Sequence, residues 1–339
     1  MLRLKIFGIL IALVVSFCTF SNSFADTTLN GAGASFPYPV YSAWAFKYHK
    51  VSGIKINYQS IGSGGGVRQI VNRTVDFGAS DAPLLPHELR KHKLLQFPAV
   101  IGGVVPVVNI PDFPSGTLKL DGDAICGIFM GEIRRWNDKK IKDLNPELNL
   151  PNKEITVVHR SDGSGTTAIF TDYLSSVCTH WKKQVGTGKA VKWPVGIGGK
   201  GNEGIANYVK RVKYSIGYVE FVYAKQNKLS HTLLKNPAGV FVEPSFDTFK
   251  AAADSADFDP AKDFYLWLNN APGPDAWPIA GATFILLTEE KKDANKKVIK
   301  FYDWAFKIGD KIAEKLIYVP LPESLKNKIQ SYWKLHEIY

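Results

Sequence analysis

The chain has 339 residues, of which 45% are hydrophobic and 22% charged, and it carries a formal net charge of +11. At about 100–200 residues per domain, this length predicts two domains or lobes, with a core large enough to fold without disulfides. Its basic residues are scattered among acidic ones, as at residues 289–293, and no nucleic-acid motif is present, so we expect no binding to nucleic acid, although a positive surface speeds the approach of anions.

The N-terminus has the pattern of a cleavable secretory signal. Arg3 and Lys5 precede an apolar run over residues 6–20, and small residues mark a cleavage site before Asp26. The run is shorter than the ~20 residues that a membrane-spanning helix requires, so a permanent anchor is the weaker alternative. We expect residues 1–25 to be removed and the exported chain to be soluble.

The three cysteines limit the possible redox and metal chemistry. Cys18 lies in the signal and follows Phe17, where a lipid-attachment motif has a small residue, so we expect no lipid anchor. Cys126 and Cys178 could pair in an oxidising compartment, but two separate buried thiols are at least as good an interpretation. No Cys/His cluster has the spacing of metal ligands, so the sequence predicts neither a zinc site nor another cofactor.

Strand and helix patterns alternate from the start of the exported chain. Apolar patterns predict strands at residues 27–29, 54–58 and 75–80. A four-residue apolar period predicts a helix that starts near Ser35, and a second helix follows at residues 67–74.

Two long apolar runs stand out, at residues 97–110 and 277–287. Prolines and glycines within the first argue against a buried helix, so we interpret both as buried strands that cross between lobes. Two crossings place both chain ends in the same lobe. The predicted first lobe is residues 26–104 with 284–339, and the second is residues 105–283.

The alternation resumes between the crossings. The patterns predict a strand at residues 155–159, helices at residues 166–174, 296–310 and 322–336, and a glycine-rich turn at residues 196–204 that precedes another helix. Strands that alternate with helices predict an α/β fold with mainly parallel sheets.

Three turns share one design, in which glycine and serine follow a strand and open a helix. They lie at residues 33–36, 62–65 and 163–166. A helix start exposes unpaired N–H groups and the positive end of the dipole, and glycine lets an anion approach them. Any single turn is explained as well by an ordinary serine cap. Three of them favour an anion site, because parallel strands gather such turns in one crevice.

Two ionisable residues lie beside these turns. Arg160 ends a predicted strand and offers a rigid fork of donors for anionic oxygens; the alternative is a salt bridge with Asp162. Asp81 ends another strand. Its carboxylate would repel an anion unless the anion brings a proton, and from the residues alone a cap for the corner at residues 81–83 is the better interpretation.

Catalytic motifs gather no support. No complete P-loop is present, and neither Ser63 nor Ser164 lies in a Gly-x-Ser-x-Gly elbow. His159 precedes Arg160 on a predicted strand and should point to the opposite face. The first hypothesis is a binding protein for an anion, and the second is a secreted hydrolase with Ser63 or Ser164 as its nucleophile.

Four runs resemble a known family. They are GAGASFP at residues 31–37, IGSGGGV at residues 61–67, VDFGASDAP at residues 75–83 and RSDGSGT at residues 160–166. In order and spacing they closely resemble the periplasmic phosphate-binding proteins of Pst-type ABC importers. Tryptophan-proline pairs at residues 193–194 and 277–278 look similar as well, and the resemblance covers essentially the whole exported chain.

The resemblance implies the class II periplasmic binding-protein fold, in which two α/β lobes joined by two crossing strands close on the ligand. It implies a phosphate site that contains Ala34, Ser35, Phe36, Ser63, Asp81, Arg160, Ser164, Gly165 and Thr166. Asp81 would accept the proton of the ligand, and Asp162 would hold Arg160. The family usually has threonine where Ser35 stands and a second serine where this chain has Gly64, which puts a side-chain contact from Gly64 in doubt.

The resemblance also implies a place in transport. The protein would capture inorganic phosphate in the periplasm and deliver it to the membrane permease subunits of an ABC transporter. It would act as a monomer, without a cofactor and without enzymatic activity. Sulfate or another oxyanion is the alternative ligand within the same class of binding protein.

Overall fold

A computed structural model describes residues 28–339. The predicted secretory signal, its cleavage site before Asp26 and the lipid question at Cys18 all lie outside these residues. No helix within residues 28–339 is long and apolar enough to cross a membrane.

Strands and helices alternate along the chain. The first part contains β1 (Thr28–Gly33), α1 (Tyr38–Ser52), β2 (Lys55–Ser60), α2 (Ser63–Val71), β3 (Phe77–Ser80), α3 (Pro86–His92) and β4 (Leu94–Val108). The middle contains β5 (Lys119–Leu120), α4 (Gly122–Phe129), α5 (Lys139–Leu144), β6 (Thr156–Arg160), α6 (Gly165–Val177), α7 (Thr179–Gln184), β7 (Ile197–Gly199), α8 (Gly201–Arg211), β8 (Ser215–Glu220), α9 (Phe221–Asn227), β9 (Ser230–His231), β10 (Leu233–Lys235), β11 (Phe241–Val242) and α10 (Phe246–Asp254). The last part contains β12 (Ala280–Thr288), α11 (Lys292–Ile308), α12 (Asp310–Lys315) and α13 (Glu323–Leu335).

Within the described residues, a nine-stranded sheet has the order β2-β1-β3-β12-β4-β8-β6-β7, with β9 paired to β4. β1 is parallel to β2 and β3, and β6 is parallel to β7 and β8. At the centre, β4 and β12 are antiparallel to each other and to their neighbours. The α/β prediction is confirmed, but in this sheet parallel pairing is confined to the outer parts because the chain crosses the centre in both directions.

Both predicted crossings are buried strands, and every residue of β4 and β12 is buried. β12 pairs with residues 94–103 of β4, whereas β8 pairs with residues 104–108. One continuous strand therefore holds both outer parts of the sheet together. The predicted lobes, residues 26–104 with 284–339 and residues 105–283, divide within these two strands and stay a prediction.

The helix predicted to start near Ser35 starts later, at Tyr38. Pro37 is the N-cap of α1, and Pro39 lies in the first turn of the helix, where proline is tolerated. Residues 34–36 consequently form a loop between β1 and α1, and this loop is available for contacts of its own.

The glycine-rich stretch at residues 196–204, predicted as a turn, contains β7 and the first turn of α8. A Cβ on Gly199 would lie only 3.0 Å from the carbonyl carbon of Gly204. These glycines therefore let a strand and a helix pack closely, which is a different use of glycine from the flexible turn that we predicted.

Cys126 and Cys178 form a disulfide. The sequence left pairing and separate thiols open, and the structure has the pair joined. The bridge connects α4 to the end of α6 that is opposite Ser164, about 20 Å along a helix of 13 residues at 1.5 Å per residue.

Candidate functional site

The three glycine-serine turns meet beside the carboxyl ends of the parallel strands. The N–H of Ile61 donates to the carbonyl of Gly33 at 2.9 Å, which joins the first turn to the second. The N–H of Gly64 donates to the carbonyl of Gly163 at 2.8 Å, which joins the second turn to the third. The structure thus brings together turns that are separated by up to 130 residues, as expected for strand ends on one edge.

Glycine is required where the second and third turns touch. A Cβ on Gly165 would overlap the hydroxyl of Ser63 and the carboxylate of Asp81. A Cβ on Gly64 would lie 3.1 Å from the Cα of Gly163. Backbone therefore packs directly on backbone between these two turns, and a side chain at Gly64 would require the neighbouring backbone to shift.

Two site hydroxyls accept hydrogen bonds from the same amide. The Asn202 side chain donates from Nδ2 to Ser35 Oγ at 2.8 Å and to Thr166 Oγ1 at 3.1 Å, and its backbone N–H donates to Ser35 Oγ at 3.2 Å. All three residues are buried. A hydroxyl has one proton to donate, so Ser35 and Thr166 each keep that proton for another acceptor.

The other two site hydroxyls, those of Ser63 and Ser164, also accept an N–H hydrogen bond. Ser63 Oγ accepts from the backbone N–H of Asp81 at 3.1 Å and donates a long hydrogen bond of 3.5 Å to Asp81 Oδ2. Ser164 Oγ caps α6 by accepting from the N–H of Thr167 at 2.9 Å. The cap predicted as an alternative for Ser164 is therefore present, and it leaves the hydroxyl proton free.

Three tyrosines hold the carbonyls of the loop at residues 34–36. Tyr58, Tyr223 and Tyr318 donate hydrogen bonds of 2.7 Å to the carbonyls of Ala34, Ser35 and Phe36, respectively. In a trans peptide the carbonyl and the following N–H point in opposite directions, so the N–H groups of Ser35 and Phe36 face away from the tyrosines. The N–H of Ala34 is already bonded to the carbonyl of Ala79 at 3.0 Å.

Arg160 ends β6 and is fully buried. Its Nε and Nη2 donate to the two carboxylate oxygens of Asp162 at 2.7 and 2.6 Å, and Asp162 also accepts from the N–H of Gly201 at 3.1 Å. Burial alone would raise the pKa of Asp162, but the hydrogen bonds and charge of Arg160 bring it below its ordinary value. The third nitrogen, Nη1, is buried and has no hydrogen-bond partner among residues 28–339.

Asp81 faces the same place from the end of β3. Its Oδ1 accepts a hydrogen bond of 2.7 Å from the hydroxyl of Thr283 on β12. The corner that follows is held by Ser80, whose hydroxyl donates to the carbonyl of Ala82 at 2.7 Å and accepts from its N–H at 3.2 Å. The capping role considered for Asp81 thus belongs to its neighbour.

Burial raises the pKa of Asp81 to about 7, although the hydrogen bonds from Thr283 and Ser63 and the charge of Arg160 oppose the shift. A carboxyl with such a pKa exchanges a proton readily near neutral pH. Asp81 can therefore accept a hydrogen bond from a ligand that carries a proton.

Sequence reasoning missed Asn202, Thr283 and the three tyrosines. Thr283 interrupts an apolar run, and Asn202 lies in the glycine-rich stretch at residues 196–204, so both gave a faint signal. His159 was expected on the opposite face from Arg160, and its ring stacks on Trp193 at 4.9 Å between centroids.

The site offers hydrogen-bond donors together with one carboxyl group, that of Asp81, which can be ionised or protonated. Within residues 28–339, no group of three or more His, Cys, Asp or Glu side chains is placed to hold a metal ion. Neither Ser63 nor Ser164 has a histidine within hydrogen-bond distance in the described part of the chain. The arrangement suits an anion that also carries a proton.

Sequence comparison places the chain in a known family. Residues 20–307 match the PBP superfamily domain. The phosphate-binding protein PstS of Pasteurella multocida is 55% identical to this chain over 324 residues, which cover 95% of this chain and 94% of the relative. The chain belongs to the PstS family of phosphate-binding proteins.

Solved structures share the architecture of this chain. PfluDING is a high affinity periplasmic phosphate-binding protein that was solved with bound phosphate. It has a TM-score of 0.70 at 20% identity, and the match covers 90% of this chain and 93% of the PfluDING chain. An ABC-type phosphate transport receptor from Vibrio cholerae has a TM-score of 0.56 at 16% identity, and the match covers 87% of this chain and 100% of the receptor chain. At these identities the similarity concerns the fold, and it confirms the predicted two-lobed periplasmic binding-protein fold.

Proposed function

We propose that this protein binds inorganic phosphate where the three turns meet and delivers it to a membrane ABC transporter. Its relatives are named phosphate-binding proteins, and in this proposal the chain is likewise a solute-binding subunit and not an enzyme. The residues that contact the ligand in this proposal are those predicted from the sequence, and the geometry of the site indicates which of their atoms do so.

One observation carries the proposal. The buried hydroxyls of four site residues already accept an N–H hydrogen bond; they are Ser35, Ser63, Ser164 and Thr166. This leaves the protons of Ser35, Ser164 and Thr166 for a ligand, whereas Ser63 donates its proton in a long hydrogen bond of 3.5 Å to Asp81 Oδ2. Nη1 of Arg160 adds a charged donor that has no partner within the described residues. Buried donors without acceptors are costly, and the oxygens of a tetrahedral anion would satisfy them together.

The backbone contributes further donors. The N–H groups of Ser35 and Phe36 face away from the tyrosines that hold the loop carbonyls. The first turn of α6, at Gly165 and Thr166, adds the N–H groups and positive dipole end of a 13-residue helix. Ala34 contributes through its position in the loop, since its own N–H is bonded to Ala79.

Asp81 gives the site its preference for a protonated ligand. Phosphate keeps at least one proton near neutral pH and can donate it to the ionised carboxylate. Sulfate has no proton to donate, so one of its oxygens would face Asp81 with both groups desolvated. The site therefore selects by repulsion as well as by attraction.

The proposal extends to partners and location. We propose that residues 1–25 are removed as a secretory signal, that the protein works in the periplasm as a monomer, and that its partners are the permease subunits of the transporter. We also propose that the two lobes close on phosphate, with β4 and β12 as the connecting strands. In this proposal, the contacts between the second and third turns belong to the closed state.

Calorimetric titration of the exported chain with phosphate, arsenate and sulfate tests the function. We expect tight binding of phosphate, similar binding of arsenate, which is also protonated near neutral pH, and much weaker binding of sulfate. A phosphate-ester turnover assay on the same sample should show no activity. Equal affinity for sulfate, or ester turnover, would contradict the proposal.

A further inference from the structure

Asn202 connects the two predicted lobes at the centre of the site. It is the second residue of α8 and is fully buried. Its side chain reaches Ser35, which lies in the first predicted lobe, and Thr166, which lies in the second. Apart from these hydroxyls, it contacts the backbone N–H of Glu220, which donates to Asn202 Oδ1 at 2.9 Å.

The contact with Glu220 decides which way the amide points. A backbone N–H can only donate, so the atom of Asn202 that faces it must be the carbonyl oxygen. The reversed amide would set two donors against each other at Glu220. The NH₂ group therefore faces Ser35 and Thr166, and the amide orientation follows from the hydrogen-bond network.

The orientation of the amide fixes the polarity of both hydroxyls. Ser35 Oγ accepts two N–H bonds from Asn202, and Thr166 Oγ1 accepts one, so neither hydroxyl can donate to Asn202. Each proton must then point elsewhere. We infer that Asn202 is a positioning residue that commits Ser35 and Thr166 to donate to the bound anion, and that it does so across the cleft.

This inference rests on the proposed phosphate site and assigns the polarity of two of its donors to a residue that need not touch the anion. It differs from a merely structural role in one respect. If Asn202 acts through the two hydroxyls, its replacement should matter only while the hydroxyls are present. If it only supports the fold, its replacement should cost the same affinity in any background.

A double-mutant cycle separates these cases. Asn202→Ala should lower phosphate affinity by about tenfold in the otherwise unchanged protein, the worth of roughly one well-oriented donor. In a Ser35→Ala/Thr166→Val background, where both hydroxyls are gone, the same replacement should change affinity by less than about twofold.

Asn202→Asp provides a second and near-isosteric variant. It keeps an acceptor for Glu220, but its other oxygen draws the two hydroxyl protons toward itself and places a negative charge beside the anion. We expect a loss of at least about a hundredfold, larger than that of Asn202→Ala. Asn145→Asp is the matched control, because Asn145 is a buried amide that bonds Lys119 and Ile141 away from the turns.

The control should lower the unfolding midpoint and leave phosphate affinity within about twofold. Equal losses from Asn202→Ala in both backgrounds would overturn the inference while leaving the phosphate site intact, and so would a smaller loss from Asn202→Asp than from Asn202→Ala. Failure of the unsubstituted protein to bind phosphate would instead overturn the proposed function, and this inference with it.

Discussion

Thr283 donates a hydrogen bond of 2.7 Å to Oδ1 of Asp81, although 202 residues separate them. Thr283 lies on the returning strand β12, and Asp81 follows β3, which is the neighbour of β12 in the sheet. The bond stabilises the ionised form of a carboxyl that burial drives toward its neutral form. It therefore helps Asp81 to act as an acceptor near neutral pH.

Thr283→Val should raise the pKa of Asp81 further in the ligand-free protein. The replacement keeps the shape of the side chain and removes the hydroxyl that stabilises the carboxylate. A hydrogen bond to a charged group contributes ~1.5–3 kcal/mol, which corresponds to roughly one to two pKa units. Carbon-detected NMR titration of the Asp81 carboxyl would measure the shift.

Thr232→Val is the matched control for that titration. Thr232 is also buried, and its hydroxyl has no hydrogen-bond partner within residues 28–339. Its replacement should leave the pKa of Asp81 unchanged. An Asp81 pKa that stays the same in Thr283→Val would show that the hydroxyl does not stabilise the carboxylate.

The raised pKa of Asp81 also predicts how stability depends on pH. The ordinary pKa of 3.8 rises to about 7 in the folded protein. Because the folded value is the higher one, the neutral carboxyl stabilises the fold fully below the ordinary value, and this contribution is lost as the pH rises toward 7. Asp81→Asn should remove this loss, so its unfolding free energy relative to the parent should increase between about pH 4 and about pH 8 in denaturant titrations without phosphate. A constant difference would contradict the assignment.

Arg160→Met should lower phosphate affinity by at least about tenfold. The replacement keeps the length of the side chain and removes charge-assisted hydrogen bonds worth ~1.5–3 kcal/mol each, while ~1.4 kcal/mol is already tenfold. Arg135→Met is the control, because Arg135 is half exposed and pairs with Glu154 at 3.5 Å away from the turns. Unchanged affinity in Arg160→Met would assign Arg160 to a purely structural pair with Asp162.

The sequence predicted the parts of the site that are local and missed the parts that are not. A strand, a glycine-serine turn and a helix follow one another within about ten residues, so Ser63 and Ser164 could be found from the pattern. The bond from Asn202 to Ser35 spans 167 residues, and only the order of the strands brings them together. The role of Asp81 came from the family resemblance, because the sequence pattern alone does not explain why a carboxylate would lie among anion-binding turns.

Gly165→Ala should hold the cleft open. The new Cβ would overlap Ser63 and Asp81, while the backbone of Gly165 lies in the ordinary helical region and accepts alanine. Phosphate affinity should fall, and small-angle scattering at saturating phosphate should show a larger radius than that of the parent with phosphate.

Gly188→Ala is the control for the closure experiment. Its Cβ would meet no atom closer than 3.4 Å, an ordinary contact. This variant should become as compact as the parent when phosphate is added. The prediction that the lobes close on the ligand is wrong if Gly165→Ala reaches the same scattering radius as the parent with phosphate. It is also wrong if phosphate does not change the radius of the parent.

Competition of phosphate with sulfate, in the parent and in Asp81→Asn, tests the central claim that Asp81 selects a protonated anion. An amide can turn its NH₂ group toward either anion, whereas the carboxylate can only accept. Mispairing of buried polar groups costs ~1–3 kcal/mol, and more when charges are involved. At one pH and ionic strength, the preference of Asp81→Asn for phosphate over sulfate should therefore be at least about tenfold weaker than that of the parent. A variant that still rejects sulfate as strongly as the parent would contradict the account of the site.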